Sequence, residues 1–272
     1  MKSIPHKTLV MTGASGGVGR AILDTLRGDD VALYLVANNG ADALRRNLAD
    51  SQSPTLRDAK VLRADLSQIG AAQTLADALL QTLREDQKRT NPRVDALVCA
   101  AGIDLMTPQS KELTFDARLA RAWQIDLASV ATLARAFGDV MRAFRQTGDA
   151  QEDYDPSMIF FSWDGVEHGM KGDSAQIYAA CKGAVAAFAR SLAHSLAPDV
   201  RVNTIAPGWI QTTWGKIASE DSLTRYAAQS LLQRWGDPME IARVVRFLLS
   251  SDAAYVNAQT IPVNGGFLGR EL

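Results

Sequence analysis

Apolar positions along the chain come in short runs separated by longer stretches with helical spacing. Residues 8–11 (Thr8-Leu9-Val10-Met11) read as a buried strand, followed by a Gly-rich turn and a helix expected over 17–27. The same pattern predicts strands at 31–36, 60–63, 94–98, 158–161, 200–205 and 260–263. Helices are expected between them at 41–50, 71–83, 114–145, 177–196 and 241–249. The strands are continuous apolar runs rather than alternating ones, which is the mark of strands covered on both faces. Regular β/α alternation then predicts an α/β fold: a single doubly wound Rossmann domain over 1–272, its parallel sheet flanked by helices on both faces. Residues 84–93 are strongly charged, and 146–156 are rich in Asp, Gly and Glu. Both read as exposed excursions, neither as a domain linker, and no internal repeat is present.

Composition narrows the class of partner. The formal net charge of -1 supplies no electrostatic reason for nucleic acid or an anionic membrane. No apolar stretch approaches membrane-spanning length, and the N-terminal residues lack the apolar core of a signal peptide. Cys99 and Cys181 form neither a disulfide framework nor a metal-ligand spacing, so no metal is expected and a reducing cytoplasm fits.

Two segments carry candidate chemistry. Strand one ends in Thr12-Gly13-Ala14-Ser15-Gly16-Gly17-Val18-Gly19. Glycines there let the backbone approach a pyrophosphate, and the following helix offers N–H groups and its positive end. The other reading is a ligand-free tight turn; the position between a strand and a helix favours the phosphate. Tyr178 and Lys182 lie four residues apart on one helical face. A nearby ammonium favours phenolate and brings the phenol toward useful proton transfer, whereas a packed Tyr with a solvated Lys is the structural alternative. Ser162 ends the strand at 158–161, where a hydroxyl faces the ligand crevice of a parallel sheet. Pro207 and Gly208 turn the chain across that crevice after the next strand, where backbone groups and Thr212 can meet a nicotinamide carboxamide.

Thr-Gly-x-x-x-Gly-x-Gly with Ser162, Tyr178-x-x-x-Lys182 and the Pro207-Gly208 segment resembles the short-chain dehydrogenase/reductase family, of the 3-oxoacyl-reductase-like type. The likeness continues through 234–242 and 247–250 to Val263-Asn264-Gly265-Gly266, and so covers essentially the whole chain. It implies an NAD(P)-dependent oxidoreductase interconverting a ketone and a secondary alcohol by direct hydride transfer. Tyr178 is then the general acid/base, Lys182 lowers its pKa and holds the nicotinamide ribose, and Ser162 polarises the carbonyl. The cofactor site it implies comprises Gly13, Ser15, Gly16, Gly17, Val18 and Gly19 at the phosphates. Asp65, Leu66, Ala100, Ala101 and Gly102 serve the adenine side, and Pro207, Gly208, Ile210 and Thr212 the nicotinamide. It also implies a mobile substrate lid at about 211–233 and a homodimer or homotetramer paired through the helices at 114–145 and after Tyr178. Small residues such as Ala179, Ala180 and Gly183 suit that pairing or an intrachain contact equally.

Several positions depart from the family pattern. Cys99-Ala100-Ala101-Gly102 stands where Asn-Asn-Ala-Gly is usual, and Cys99 reads as a packing residue. Asp126 occupies the position of a catalytic Asn that helps hold a water beside the lysine. A carboxylate there stabilises the ammonium while offsetting its effect on Tyr178, which predicts reduced or substrate-restricted activity. The Ser162–Tyr178 segment is about three residues longer than usual; His168 within it is either a substrate ligand or a solvated loop residue. At the end of strand two, Ala37-Asn38-Asn39 carries neither the acidic signature of NAD users nor a basic one. The missing carboxylate favours NADP over NAD, with Asn38, Asn39 or Arg45 as phosphate partners. Trp163, Trp209 and Trp214 flank the expected crevice, as pocket walls or as lid supports. The substrate is a small carbonyl or alcohol compound, with a 3-oxoacyl thioester among the candidates. The alternative of another class is a catalytically impaired NAD(P)-binding sensor or scaffold.

Overall fold

Seven strands form one sheet in the order β3-β2-β1-β4-β5-β6-β7, with every neighbouring pair parallel. They are β1 (Lys7–Thr12), β2 (Val31–Ala37), β3 (Lys60–Arg63), β4 (Ala96–Cys99), β5 (Ser157–Phe161), β6 (Arg201–Pro207) and β7 (Thr260–Val263). The computed structural model describes residues 7–147, 150, 153–212 and 220–266. Between the strands run α1 (Gly17–Thr25), α2 (Ala41–Ala49), the short α3 (Pro54–Arg57), α4 (Ala71–Gln87) and the short α5 (Pro108–Lys111). They are followed by α6 (Phe115–Ala122), α7 (Ser129–Gln146), α8 (Asp173–Leu196), α9 (Glu220–Ala227) and α10 (Pro238–Leu249).

Strand side chains alternate between two apolar layers, as the pleat requires. On one face Val10, Leu97, Met158, Phe160 and Val202 pack with α4, α7 and α8. On the other, Leu9, Met11, Val98, Ile159 and Ile205 pack with α1, α2 and α10. Both faces are therefore buried, which explains why the strands read as continuous apolar runs.

The observed boundaries differ from the sequence expectation where capping or packing overrides the apolar pattern. α8 begins at Asp173, directly after Gly172 at φ 100, and so takes in a polar first turn that carries no apolar signal. α10 begins at Pro238 because Asp237 accepts from the Met239 N–H while Glu240 accepts from the Asp237 N–H, a reciprocal cap. α4 continues to Gln87, so the first part of the charged 84–93 stretch is helical rather than an excursion. The long helix expected at 114–145 is α6 and α7 joined by a π-helical turn, Trp123–Ala128. The 146–156 stretch carries a buried anchor: Tyr154 is 2% exposed and donates to the Val94 and Met141 carbonyls.

Strand order reverses direction between β1 and β4, and the crevice at their carboxyl ends is where ligands bind in such sheets. Here the backbone approach is close. Gly13 has φ 73, and a Cβ on it would lie 2.4 Å from the Ala100 carbonyl carbon. A Cβ on Gly19 would lie 2.2 Å from the Gly13 carbonyl oxygen and 2.9 Å from Ala14 Cα. Gly19→Ala is accordingly expected to cost about 1–3 kcal/mol through overpacking, lowering the thermal midpoint by several degrees. Gly28→Ala, where a Cβ meets nothing within 4 Å, should leave the midpoint nearly unchanged. Equal midpoints for the two variants in parallel thermal melts would show that the turn is not packed as described.

Candidate active site

One cavity of 680 Å³ runs along the carboxyl ends of the central strands, from the Gly-rich turn to the start of α8. Gly13, Gly16, Gly17, Val18 and Gly19 line one end. Gly16 is the N-cap of α1 and supplies no side-chain cap, so the first-turn N–H groups are presented to whatever occupies that end. Opposite, Ala100 and Gly102 line the wall, and the Ala101 N–H donates to Thr12 Oγ1 at 3.2 Å. Pro207, Gly208, Ile210 and Thr212 close the crevice from the β6 side. That segment is pinned by Gly236, whose N–H donates to Trp209 and whose carbonyl accepts from Gln211. Thr212 sits beside the turn, its Cγ2 3.3 Å from where a Gly17 Cβ would be. A backbone cradle with uncapped helix N–H groups and no room for a side chain at Gly13 or Gly19 fits a dinucleotide pyrophosphate.

The expected catalytic side chains line the middle of the same cavity: Ser162, Tyr178 and Lys182. Their hydrogen bonds differ from the simple sequence picture. The Tyr178 hydroxyl donates to the Ile103 carbonyl, and the Ser162 hydroxyl donates to the Lys182 carbonyl at 2.9 Å. Lys182 Nζ lies 2.8 Å from Asp126 Oδ1, with the two side chains 10% and 1% exposed. A Cβ on Gly102 would lie 2.9 Å from that carboxylate oxygen, so glycine is what allows the pair to form there. Burial pushes the Asp126 carboxyl up, against the pull of Lys182 and of the Ile103 N–H. Burial, then the Asp126 and Asp104 carboxylates, holds the Tyr178 phenol above its usual range. The sequence leads one to expect Lys182 to lower that pKa. Lys182 Nζ meets the Asp126 carboxylate, the offsetting charge that the departure at position 126 leads one to expect, and burial holds the phenol up.

Other expected residues fall outside this cavity. Asn38 is exposed at the end of β2, next to Gly40, which packs on Ser15. Asp65 turns its carboxylate onto the Ser67 hydroxyl and N–H, and Leu66 is buried in the core. Arg45 is engaged by Asp42 and the Val61 carbonyl. Burial pushes the Cys99 thiol up to about 12, in keeping with a packing residue. His168 is exposed, and the extra residues before α8 bring Met170, Lys171 and Gly172 to the cavity. Trp163 and Trp209 both line the cavity, whereas Trp214 lies outside the described residues. Of the expected lid, 213–219 also lies outside them.

Several participants escaped sequence reasoning. Trp209 stacks on Tyr226 with ring centroids 3.9 Å apart, and Trp235 closes the cluster at 5.5 Å from Trp209. Their separation along the chain left no spacing signal. The Ile103 carbonyl is backbone and carries no signature. Asp164 accepts from Asn264 and lies under Gly208, where burial pushes its carboxyl up to about 6. Arg118 also lines the cavity; its one signal is an arginine four residues before Ala122, the other buried residue of α6.

Comparison with known proteins agrees with this geometry. A family model described as enoyl-(acyl carrier protein) reductase matches residues 13–268. The chain is 31% identical over 266 residues to the 3-oxoacyl-[acyl-carrier-protein] reductase of Escherichia coli K12, covering 96% of each. It is 31% identical over 270 residues to an uncharacterized oxidoreductase of Bacillus subtilis, covering 96% of this chain and 99% of that one. Among solved structures, a short-chain dehydrogenase/reductase from Brucella melitensis superposes with a TM-score of 0.75 at 30% identity, covering 98% of both chains. A putative NAD(P)-dependent gluconate 5-dehydrogenase from Beutenbergia cavernae, with bound NADP, gives 0.80 at 27% identity, covering 98% of this chain and 99% of that one. The chain belongs to the short-chain dehydrogenase/reductase family of NAD(P)-dependent oxidoreductases, and to its 3-oxoacyl-reductase-like type.

Proposed function

We propose that this protein reduces a ketone to a secondary alcohol, and reverses the reaction, with Tyr178 as general acid/base and NADP(H) as the preferred cofactor. The observation that carries this reading is a single cavity joining Ser162, Tyr178 and Lys182 to the Gly-rich turn without interruption. The bound nicotinamide supplies the hydride for reduction and accepts it for oxidation. Tyr178 Oη gives its proton to the substrate oxygen, leaving its hydrogen bond with Ile103. Ser162 turns from the Lys182 carbonyl to donate to the same oxygen, and so supports the charge that develops there. Lys182 uses one N–H on Asp126 and has others left over for ribose hydroxyls. A phenol held protonated suits reduction, because the step needs an acid at neutral pH.

NADP is supported by an exposed Asn38–Asn39 rim without a carboxylate. Arg20, whose Nε donates to the Ser15 carbonyl at 2.8 Å, adds positive charge beside that rim. By the family resemblance Asp65 and Leu66 serve the adenine side together with Ala100 and Ala101. Tyr226 of α9 lies against Trp209 in the cavity wall, which supports a lid role for 211–233 and a dry site for hydride transfer. 3-Oxoacyl thioesters belong to the candidate substrates through the relatives that act on them by name. Exposed Phe115 and Trp123 on the α6–α7 face support a homodimer or homotetramer, which light scattering would weigh directly.

Titration of NADPH and NADH should show tighter binding of NADPH, and reduction of a panel of ketones should then proceed with it. Tyr178→Phe is expected to lower kcat/KM by at least about 100-fold while retaining cofactor binding. Cofactor binding without turnover across a broad panel would overturn the catalytic reading.

The Asp126–Lys182 pair sets the pH dependence. Asp126 raises the Tyr178 pKa, so neutralising it lets phenolate form at lower pH. Asp126→Asn should therefore keep turnover and shift the rising limb of alcohol oxidation toward lower pH, with some loss of thermal stability. An unmoved limb would mean that the carboxylate does not act on the phenol.

A further inference from the structure

Ser174, Tyr178 and Lys182 recur every four residues along α8, and all three line the cavity. Such residues share one helical face, spaced about 6 Å along the axis. Lys182 lies beside Gly102 and the Gly-rich turn, the end fitted to the dinucleotide. A substrate whose carbonyl meets Tyr178 therefore extends the other way, toward Ser174.

At that end sits Arg118, reaching across from α6. It is 8% exposed and lines the cavity. Its Nη2 donates to Asp173 Oδ2 at 2.9 Å, its Nη1 reaches Ser174 Oγ only at 3.4 Å, and its Nε has no acceptor. A guanidinium carries five N–H donors, and burying its charge is costly unless those donors are used. The one carboxylate it meets belongs to Asp173, a side chain 60% exposed and so well hydrated. Lys111 and Lys171 line the same end. The nearby Asp104 has one carboxylate oxygen occupied by the Met106 N–H. A tie between α6 and α8 would need only Asp173 and Ser174. It would not place an under-coordinated arginine in the wall of the substrate cavity.

We infer that the substrate is an oxo-acid, its carbonyl at Tyr178 and its carboxylate on Arg118 about one helical turn away. The inference rests on the carbonyl-reductase reading and adds the charge and length of the substrate. A carboxylate in the cavity adds charge-assisted hydrogen bonds at the Nη groups, one of which has only the long Ser174 contact, and fixes which end of the molecule faces the cofactor.

The test uses straight-chain oxo-carboxylates with the carbonyl at successive distances from the acid, each paired with its methyl ester. The readouts are NADPH oxidation and protection against thermal unfolding in the presence of NADP. The native protein should prefer acid to ester, with an optimum at one intermediate chain length. Arg118→Met should reduce the acid-to-ester ratio of kcat/KM by about 10- to 100-fold, chiefly through the KM of the acid. Arg118→Lys, which keeps the charge and loses the fork, should recover part of that ratio. Equal use of acid and ester by the native protein would overturn the inference, as would a ratio that survives Arg118→Met. Should Arg118→Met fail to fold, the native comparison and Arg118→Lys decide the matter. If no compound is reduced but acids alone protect against unfolding, and Arg118→Lys weakens that protection, the anion site stands and the reductase reading falls. Protection by neither acid nor ester, in a protein that reduces neutral ketones, has the opposite meaning.

Discussion

Lys182 Nζ is buried against the Asp126 carboxylate, and the active site is arranged around that contact. An isolated buried cation costs several kcal/mol, and the contact with Asp126 offsets this. The carboxylate comes from a π-helical turn between α6 and α7, and its approach depends on the missing side chain at Gly102. The pair therefore couples the helix that carries Tyr178 to the β4 loop and to the long α6–α7 segment. Burial first, and then the Asp126 carboxylate, holds the Tyr178 phenol above its usual range, and its hydroxyl donates to the Ile103 carbonyl. The carboxylate that the sequence places beside the lysine lies in the structure 2.8 Å from its Nζ.

Around this pair the cavity has two kinds of wall. At the cofactor end it is backbone: the Gly13 turn against Ala100, the uncapped start of α1, and the Pro207–Thr212 segment held by Gly236. At the substrate end it is side chain: Trp163, Trp209, Tyr226 and Trp235, with Arg118 and its neighbours at the rim. A backbone cradle recognises a constant group, since N–H donors do not change with sequence. Side-chain walls are where one member of a family differs from another.

Much was legible in the chain because it depends on local chemistry. The strands announced themselves as apolar runs, since both faces of a parallel sheet are covered. The Gly-rich turn announced itself because no residue with a Cβ fits at Gly13 or Gly19. Tyr178, Lys182 and Ser162 reach one cavity because a helical face and the end of a strand are positions that spacing alone defines. The misjudged boundaries have equally local causes. The polar first turn of α8 has no apolar periodicity, and Tyr154 anchors a segment whose other residues are polar.

What the sequence determined by itself was the order of elements, the Gly-rich turn after β1, and the helical face and strand end that carry Tyr178, Lys182 and Ser162, all set by residues close together in the chain. Only the tertiary structure decided that Lys182 meets Asp126, that Tyr178 meets Ile103, and that Arg118 joins the cavity from another helix. Those contacts join residues some 55 to 75 positions apart, and their energies depend on burial and distance, which exist only once the helices have packed on the sheet.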